Sequence, residues 1–558
     1  MQTTNPTSQT DIAAFMRPPA QVMRLARMGS AHPMRLSFLR VLMRRTEREN
    51  WRFDRPLWQV DDKGVGRAIY RAIGPQRTYS LIAFSHDLPP EMRSDRVIAT
   101  AWDATFTLFD GEPTEADLDR LQANVPLQEA GRISARELSL SRANRSVRLF
   151  GHVVECLAEG RQPDPAEIDA VGYLMRTTAV YGSGKFGAAD RETIADRPEF
   201  AAPFQVEMLN VWLTRCFTID IVEHLARVRG GARAVALSAA MRRRLGVGNS
   251  TGLGMAPFLV RHPLLLNNWI MARETALARV RALPGATPDQ VTALRAALAR
   301  ARDNAGNWHS EHPIQVEKLA DLRSDLDRIS DWLAAFPGGG SHPWDALWRR
   351  GEGDLSLEGQ EALVALMLEP HGDLIDDLAD TMGAAIDHPP RIDGTMRAGA
   401  MRALLAQRYG WALALDFSQP RNSARFWYVS EEKLEPRLGD RCTEPGADLE
   451  QPLCIARMAA ELDAALATRP EGETMAAFLL AHPEHRSMVR RALVARDHPY
   501  AEIRDNLIAE DILPIDMMRC KLAFFGASHF DPRSDKWVRI SLFQNEPYPA
   551  GLMEGTAP

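Results

Sequence analysis

The order of strand-like and helix-like segments is the feature that most restricts how this chain can fold. Runs of β-branched and aromatic residues bounded by Gly, Pro and Asp, such as RTYSLIAFS and ATFTLF, predict strands between residues 66 and 110. Apolar residues three and four positions apart then predict helices from about 115 to 408. Strand-like runs return in GWALALDF, ARFWYVSE and, after further helices, KWVRISLF. This order predicts a predominantly helical α+β protein.

The two strand-then-helix stretches resemble one another in sequence. Residues 75–96 and 420–441 share a Pro, a Ser, an Asp and an Arg at a constant offset of 345 positions, the difference between 420 and 75. Residues 175–186 and 518–530 follow in the same order and both begin with Met-Arg. We therefore expect an internal tandem duplication, in which two related halves carry short antiparallel sheets and a helical insertion separates them. The alternative is that strand–turn–helix units simply share a composition.

The length of the chain indicates more than one domain. Its 558 residues exceed what a single hydrophobic core usually supports. The segment FPGGGSHP, between two helical stretches, predicts a surface linker. Four parts are predicted, namely a mobile tail over 1–30, a first α+β repeat over 31–200, a helical insertion with a glycine-rich loop over 201–395, and a second α+β repeat over 396–558.

Composition excludes several classes of protein. The apolar fraction of 45% and the charged fraction of 25% are ordinary for a soluble globular protein, and a net charge of -6 does not favour nucleic-acid binding. No stretch approaches the roughly 18 consecutive apolar residues of a membrane span, and the first residues lack the layout of a secretory signal. Five cysteines without a CxxC pair fit neither a disulfide framework nor a zinc site. We expect a cytoplasmic protein without nucleic-acid, membrane or metal partners, and we leave its use of a cofactor open.

The segment YGSGKFG, residues 181–187, is the first candidate site. We interpret the apolar residues before it as a helix. The glycines allow a ligand to approach the backbone, and Lys185 can hold an anion or transfer a proton, as can His529 at the matching position of the second copy. Phe186 follows Lys185, so this is not a Walker A sequence, and a helix C-cap with a solvated lysine is the alternative. The residues expected to bind substrate here are Tyr181, Gly182, Ser183 and Gly184.

The segment GVGNSTGLG, residues 246–254, is the second candidate site. Four glycines permit an irregular backbone, while Asn249 and Thr251 offer polar groups to a carboxylate or oxyanion. The spacing is not that of a dinucleotide-binding loop, and no strand is predicted before it. Ser250 is a candidate nucleophile, although no GxSxG pattern surrounds it. A tight helix–helix crossing, with the hydroxyls capping the next helix, is the alternative.

Two groups of arginines are further candidates for binding an anion. Arg142, Arg145 and Arg148 are spaced as on one face of a helix, where a solvated or salt-bridged face is the more usual role. Arg421 and Arg425 surround a predicted turn between two strands, where a guanidinium can hold a carboxylate with two hydrogen bonds.

Other polar positions are weaker candidates. His86 ends a predicted strand, where catalytic residues often lie, but the second copy has Glu431 in its place. Asp220 and His224 lie one turn apart on a predicted helix, and an internal salt bridge explains them better than a metal site does.

Together these features favour an enzyme that acts on a small organic anion in a cleft between two related halves. Lys185 or His529 transfers the proton in this hypothesis, and Asn249, Thr251 and Arg425 hold the anion. Lyase, transferase and hydrolase chemistry all stay open. The alternative function is a non-catalytic scaffold or regulator that binds a partner protein through the paired halves.

Overall fold

The computed structural model describes most of the chain, and it divides the chain into two compact units. The helical unit comprises residues 1–36, 256–307 and 317–520, and the sheet unit comprises residues 37–255, 308–316 and 521–558. The described residues are 12–89, 101–124, 134–177, 194–249, 262–310, 313–336, 341–384, 391–423, 426–429, 437–438, 450–505, 514–527, 529–531 and 539–554.

Helices are the commonest element of the described residues as a whole. The described α-helices are α1 Pro19–Val22, α2 Leu25–Gly29, α3 Phe38–Arg48, α4 Glu115–Asn124, α5 Phe150–Ala158, α6 Pro165–Asp169, α7 Gln205–Gly230, α8 Ala239–Arg244, α9 Pro263–Arg281, α10 Pro288–Asn307, α11 Pro313–Ala334, α12 Pro343–Asp354, α13 Leu357–Leu368, α14 Gly372–Ile375, α15 Leu378–Thr381, α16 Ala398–Leu413, α17 Pro420–Ser423, α18 Ile455–Ala467, α19 Met475–Ala481, α20 Arg486–Asp497, α21 Pro514–Phe525 and α22 Ala550–Glu554. Short 3-10 helices lie at Ala13–Phe15, Pro198–Phe200, Gly231–Arg233, Glu369–His371 and Pro483–His485.

The strands form one large and one small sheet. The described strands are β1 Arg52–Val60, β2 Gly66–Ile73, β3 Thr78–Ser85, β4 Ala104–Asp110, β5 Glu137–Arg145, β6 Tyr173–Thr177, β7 Gly246–Asn249, β8 Phe426–Val429, β9 Arg437–Leu438, β10 Glu450–Leu453, β11 His529–Asp531 and β12 Arg539–Leu542. Nine of them form the large sheet of the sheet unit, in the order β1-β2-β3-β4-β5-β6-β7-β12-β11. Its described pairs are antiparallel except β6 and β7, which are parallel. The helical unit carries the small sheet, in the order β10-β8-β9.

Helix α7 covers one face of the large sheet. Almost every residue of α7 is buried, including charged ones such as Arg215 and Asp220. Asn210 hydrogen-bonds Ser139 and Ser141 on β5, and Phe217 packs against Phe106 on β4 with ring centroids 5.4 Å apart. The helix ends at Gly231, whose φ of 55° favours a glycine.

Helix α4 covers part of the opposite face. Its Leu118 and Leu121 pack in an apolar cluster with side chains of β2 to β5, which include Ile82 and Leu140. Residues paired across a sheet share a face, and side chains alternate along each strand. From Ser139 to Arg145, the even-numbered residues of β5 therefore lie on the α4 face and the odd-numbered ones lie on the α7 face. An irregularity in the pairing with β4 ends this alternation before Ser139, and Glu137 accepts a hydrogen bond from Arg120 of α4.

Buried ion pairs tie the N-terminal segment of the helical unit to its helices. Arg17 donates to Glu274 on α9 at 2.7 and 2.8 Å, and to Glu361 on α13 at 2.7 Å. Both Nη atoms of Arg519 on α21 donate to the carboxylate of Glu358 on α13, which makes a bidentate pair. These charges are nearly inaccessible to water, and each has opposite charges beside it.

The expectation of two related halves with short antiparallel sheets is wrong. The large sheet has nine described strands and includes a parallel pair, whereas the proposed second copy contributes three strands to a separate sheet. Met175 and Arg176 lie in strand β6, but their proposed counterparts Met518 and Arg519 lie in helix α21. The span 201–395 is also not purely helical, because it supplies β7. The matching residues thus reflect a shared composition of short apolar segments. The four-part division of the chain stays a prediction.

Several local predictions are confirmed and others are wrong. Strands β2, β3, β4, β8 and β12 and helix α7 occur where the patterns predict them. The residues before YGSGKFG form strand β6 rather than a helix, and strand β7 precedes Ser250 where none was expected. Arg142 and Arg145 lie on strand β5, not on a helix, and most of GWALALDF ends helix α16 or follows it. These segments are short, and their pairing partners in the sheet decide their structure.

Candidate functional site

Strand β6, which precedes YGSGKFG in the sequence, lies next to strand β7, which forms the start of GVGNSTGLG. Thr177, the last residue of β6, pairs with Asn249, the last residue of β7, and the two strands run in parallel. The carboxyl ends of neighbouring parallel strands are a common place for ligand binding. This is therefore the first place in the sheet unit to examine for a site.

A row of polar residues crosses the α4 face of the sheet at this level. Asn144 pairs with Arg176, Arg176 with Gly248, Gly248 with Ser541, and Ser541 with His529. Paired residues point their side chains to the same face. The polar row is defined as these five residues of β5, β6, β7, β12 and β11.

His86 and Asp103 extend the polar row beyond the ends of β3 and β4. The backbone N–H of His86 donates to the carbonyl oxygen of Asp103 at 2.8 Å. The backbone N–H of Asp103 in turn donates to the side-chain oxygen of Asn144 at 2.9 Å. The Asp103 carboxylate accepts from the backbone N–H of Arg145 at 2.9 Å. These bonds fix the end of the row next to β5.

The polar row is buried. Asn144 is 2% exposed, Arg176 is 4% exposed, and Ser541 is inaccessible, while His529 is half-buried. Tyr173 supplies an aromatic surface in the row, because a Cβ on Gly248 would lie 2.6 Å from its ring. Burying polar groups costs about 1–3 kcal/mol each unless they are hydrogen-bonded. A buried row of polar residues is therefore expected where those residues bind a ligand or take part in a reaction.

Several buried polar atoms of this face have no hydrogen-bond partner in the part of the chain that the structure describes. They include Nε2 of His86, Oγ1 of Thr105, Oγ1 of Thr107 and Oγ of Ser541. Native proteins leave few buried polar atoms unsatisfied, and such atoms indicate water or a ligand. Thr105 pairs with Arg142, and Arg176 lies on the next strand, whereas Ser541 lies on β12, four strands from β4. The part of the α4 face at β4, β5 and β6 is therefore the best candidate site in the sheet unit.

Two arginines of neighbouring strands face the same space. Arg142 lies diagonally across from Arg176, at a spacing of about 7–8 Å between backbones that long side chains can bridge. The Arg142 guanidinium lies 4.0 Å from the centre of the Trp102 ring. Burial lowers the pKa of Arg142 to about 10, so the side chain is still a cation at neutral pH. Two cations of this kind can hold an anion between them.

The two histidines of this region differ in their surroundings. Burial lowers the pKa of His86, although the nearby Asp103 carboxylate raises it in part. His86 is therefore a neutral imidazole at neutral pH, able to accept a proton. His529 lies on β11 directly opposite Ser541 and is partly open to solvent. Both rings can exchange protons with a ligand on this face.

Only some of the residues predicted from the sequence belong to this site. His529 lies in the polar row, but Asn249 is fully buried on the opposite face, because its partners Thr177 and Ile540 share the face of Ala143 and α7. Arg421 lies in the short helix α17 of the helical unit. The remaining predicted residues fall outside the described stretches; these are Tyr181, Gly182, Ser183, Gly184, Lys185, Ser250, Thr251 and Arg425.

The sequence reasoning missed Arg176 and Ser541. Arg176 follows three apolar residues and precedes two threonines, a pattern that resembles a helix as much as a strand. The sequence feature that could have identified Arg176 is a single arginine within an otherwise apolar run. No sequence feature identifies Ser541, because serines are common in strands and only the register shows which residues surround it.

No protein-family model matches this chain, and comparisons with curated proteins and with solved structures find no similar protein. Across the described residues, no three His, Cys, Asp or Glu side chains are grouped so that they could hold a metal ion. Within those same residues, no helix combines the length and the apolar character needed to cross a membrane.

Proposed function

We propose that the protein is an enzyme that binds a small organic anion on the α4 face of the large sheet and transfers a proton to or from it. The observation that carries this proposal is the buried Oγ1 of Thr105, which has no partner among the described residues and belongs to the residue directly opposite Arg142, with Arg176 on the strand beyond. Carboxylates and other oxyanions are the ligands that guanidinium groups and hydroxyls recognise best. Lyase, transferase and hydrolase reactions all include such a proton transfer.

The two arginines are the anion-binding groups in this proposal. Arg176 is nearly inaccessible to water, so an anion beside it interacts in a medium of lower dielectric constant than water. Arg142 lies on the neighbouring strand, and the hydroxyl of Thr105, directly opposite Arg142, is a hydrogen-bond donor on the same face. An anion beside the two arginines would accept a hydrogen bond from this hydroxyl, which explains why it is buried here.

His529 is the first candidate for the proton-transfer group, as predicted from the sequence. It belongs to the polar row on β11, three strands from Arg176 on β6, and its partial exposure allows proton exchange with solvent. Lys185 is the second candidate, as predicted from the sequence. The two assignments are distinguished by replacing each residue and measuring turnover and anion binding separately. Loss of turnover with intact binding identifies the proton-transfer group.

The first test is anion binding to an Arg176→Met variant. The panel contains acetate, malonate, succinate and inorganic phosphate, and binding is measured by titration calorimetry on the full chain. We expect Arg176→Met to weaken binding of the preferred anion at least about tenfold, which is about 1.4 kcal/mol. The hydrophobic stem of methionine preserves most of the packing, so the folded state is retained.

Arg161→Met is the matched control, because Arg161 belongs to the sheet unit but has a side chain that is 53% exposed. We expect this variant to bind the anion as the wild type does. Equal weakening in both variants would mean that only overall charge matters. If no member of the panel binds with saturation, the proposed function is wrong and a non-catalytic role is favoured.

A further inference from the structure

A second site lies at the other end of strand β3. A cavity of about 200 Å³ is bounded by the turn between β2 and β3 and by the 3-10 helix Pro198–Phe200. Tyr79 begins the buried part of β3 here, whereas Ser85 ends the strand beside the polar row. The six residue steps from Tyr79 to Ser85 correspond to about 20 Å of extended chain. The lining residues are Glu49, Trp51, Gly74, Pro75, Gln76, Arg77, Pro198 and Glu199.

Glu199 presents a carboxylate oxygen to this cavity. The residue is 7% exposed, and its Oε1 accepts a 2.5 Å hydrogen bond from the Tyr79 hydroxyl and lies 3.6 Å from Arg77. Its second oxygen, Oε2, takes part in none of the hydrogen bonds and ion pairs of Glu199 with the described residues, and it is not among the buried atoms without a partner. This oxygen is therefore accessible and can accept a hydrogen bond from a ligand in the cavity.

Glu49 contributes a second carboxylate. Its Oε2 accepts a hydrogen bond from the indole N–H of Trp51 at 2.9 Å. Its Oε1 forms ion pairs with the guanidinium groups of Arg45 and Arg48, each 3.9 Å away, which is beyond hydrogen-bonding distance. Each of the two carboxylates therefore has one oxygen that accepts a hydrogen bond from the protein and one that takes part in none of the hydrogen bonds given for the described residues.

The cationic donor of the cavity already has partners in the protein. Arg77 donates to Asp196 at 3.1 Å and pairs with Glu199 at 3.6 Å. The amide of Gln76 is exposed and can donate or accept. The cavity atoms that accept no hydrogen bond from the protein are chiefly carboxylate oxygens. The cavity is therefore suited to a ligand that carries positive charge and hydrogen-bond donors.

The rest of the lining is apolar. Trp51 stacks on Tyr79 with ring centroids 6.1 Å apart, and Gly74 packs so closely on the indole that an added Cβ would lie 2.9 Å from it. Pro75 and Pro198 complete this surface. The volume is somewhat larger than the roughly 150 Å³ of an engineered cavity that holds benzene. A small molecule with a short hydrocarbon part therefore fits.

We propose that this cavity binds a small organic ammonium ion, with its nitrogen between the carboxylates of Glu199 and Glu49 and its hydrocarbon part against Trp51 and the two prolines. The ammonium group supplies the donors that the free carboxylate oxygens lack. This site is separate from the anion site and does not depend on the proposed reaction.

The experiment titrates the full chain with propylammonium, propan-1-ol and propanoate, which have similar size but different charge. We expect propylammonium to bind with a Kd on the order of 1 mM, and the alcohol and the carboxylate to bind at least about tenfold more weakly. Glu199→Gln and Glu49→Gln are each expected to weaken propylammonium binding about tenfold, because the amide keeps the shape but removes the charge.

Asp196→Asn is the matched control. Asp196 pairs with Arg77 but does not line the cavity, and its side chain is 73% exposed. We expect this variant to bind propylammonium as the wild type does, and circular dichroism verifies that each variant is folded. Equal affinity for propan-1-ol and propylammonium would overturn the proposal. Equal weakening by Asp196→Asn and Glu199→Gln, or no saturable binding of propylammonium, would also overturn it.

Discussion

Cations that are wholly or partly removed from water have different surroundings in the two units of this protein. In the helical unit, Arg17 is 2% exposed and contacts Glu274 and Glu361. Burial by itself would lower the pKa of Arg17, but the charges of the two glutamates outweigh this and raise the pKa. In the sheet unit, burial lowers the pKa of Arg142 and of Arg215 to about 10 in each case. Burial also lowers the pKa of Lys521 well below its usual value.

This difference separates structural charges from candidate functional ones. A buried ion pair with several short contacts holds segments of chain together, and its removal leaves an uncompensated charge. Buried cations whose pKa is lowered by desolvation are enriched at functional sites, although the inference is not general. Arg215 illustrates this limit, because its guanidinium donates to the carbonyl oxygens of Leu245 and Arg242 and so has a structural role. Arg142 differs from Arg215 in its position, because it lies opposite Thr105, whose buried hydroxyl has no hydrogen-bond partner among the described residues.

The largest expected effect is on the paired cations. Arg17→Met leaves Glu274 and Glu361 buried with fewer opposite charges, so we expect the free energy of unfolding of the helical unit to fall by about 3–5 kcal/mol. Urea titration followed by circular dichroism measures this change. Arg349→Met is the control, because Arg349 is 72% exposed and its pair with Asp345 contributes at most about 1 kcal/mol. A loss below about 1 kcal/mol for Arg17→Met would contradict the assignment of this network to stability.

The second effect is acid destabilisation of the helical unit. Burial, with help from the Arg519 charge, lowers the pKa of His32 to about 4, and burial with Arg35 does the same for His371. Both values lie below the 6.5 of an unfolded histidine, so the unfolded state binds protons first as the pH falls. The stabilisation is complete above pH 6.5, declines between pH 6.5 and 4, and amounts to as much as about 3 kcal/mol for each histidine.

Unfolding curves at several pH values test this prediction. We expect His371→Gln to reduce the pH dependence between pH 6.5 and 4, even if its stability at neutral pH is lower. His482→Gln is the control, because its side chain is 36% exposed and should leave the pH dependence unchanged. A stability that is constant over this range would contradict neutral burial of the two histidines.

The smallest expected effect on stability is that of Arg142→Met, and it tests the comparison between the two units most directly. Arg142→Met removes a cation that burial disfavours, so we expect the free energy of unfolding to change by less than about 1 kcal/mol. The same variant should weaken binding of the preferred anion about tenfold, which is about 1.4 kcal/mol. This outcome is the reverse of that for Arg17→Met. A large loss of stability with unchanged anion binding would make Arg142 a structural residue.

The long segments of this fold could be predicted from the sequence, whereas the short ones could not. Strand β3 and helix α7 are apolar over most of their length, and such runs have few alternatives to burial. Strands β6 and β7 have five and four residues, and β7 includes two glycines. Their structure depends on hydrogen bonds to β5 and β12, which are distant in sequence.

The candidate site was predicted only in part, and His529 was reached through an alignment that the structure contradicts. Its position in the polar row therefore does not support the duplication. Asn249 was chosen for its polarity, but alternation along β7 turns its side chain to the α7 face. Arg176 was passed over because its segment has no clear period in sequence.

By itself the sequence determined which segments avoid water and where the backbone is least restricted, because side-chain polarity and the freedom of glycine are local properties. It thereby placed the cores of β3 and α7 and directed attention to residues 181–187 and 246–254. Only the tertiary structure decided that β6, which precedes the first of these segments, pairs with β7, which belongs to the second, and that Arg176, Ser541 and His529 share a face. Sheet register decides this, because a shift of one residue turns every side chain to the opposite face, and register depends on pairing between distant strands.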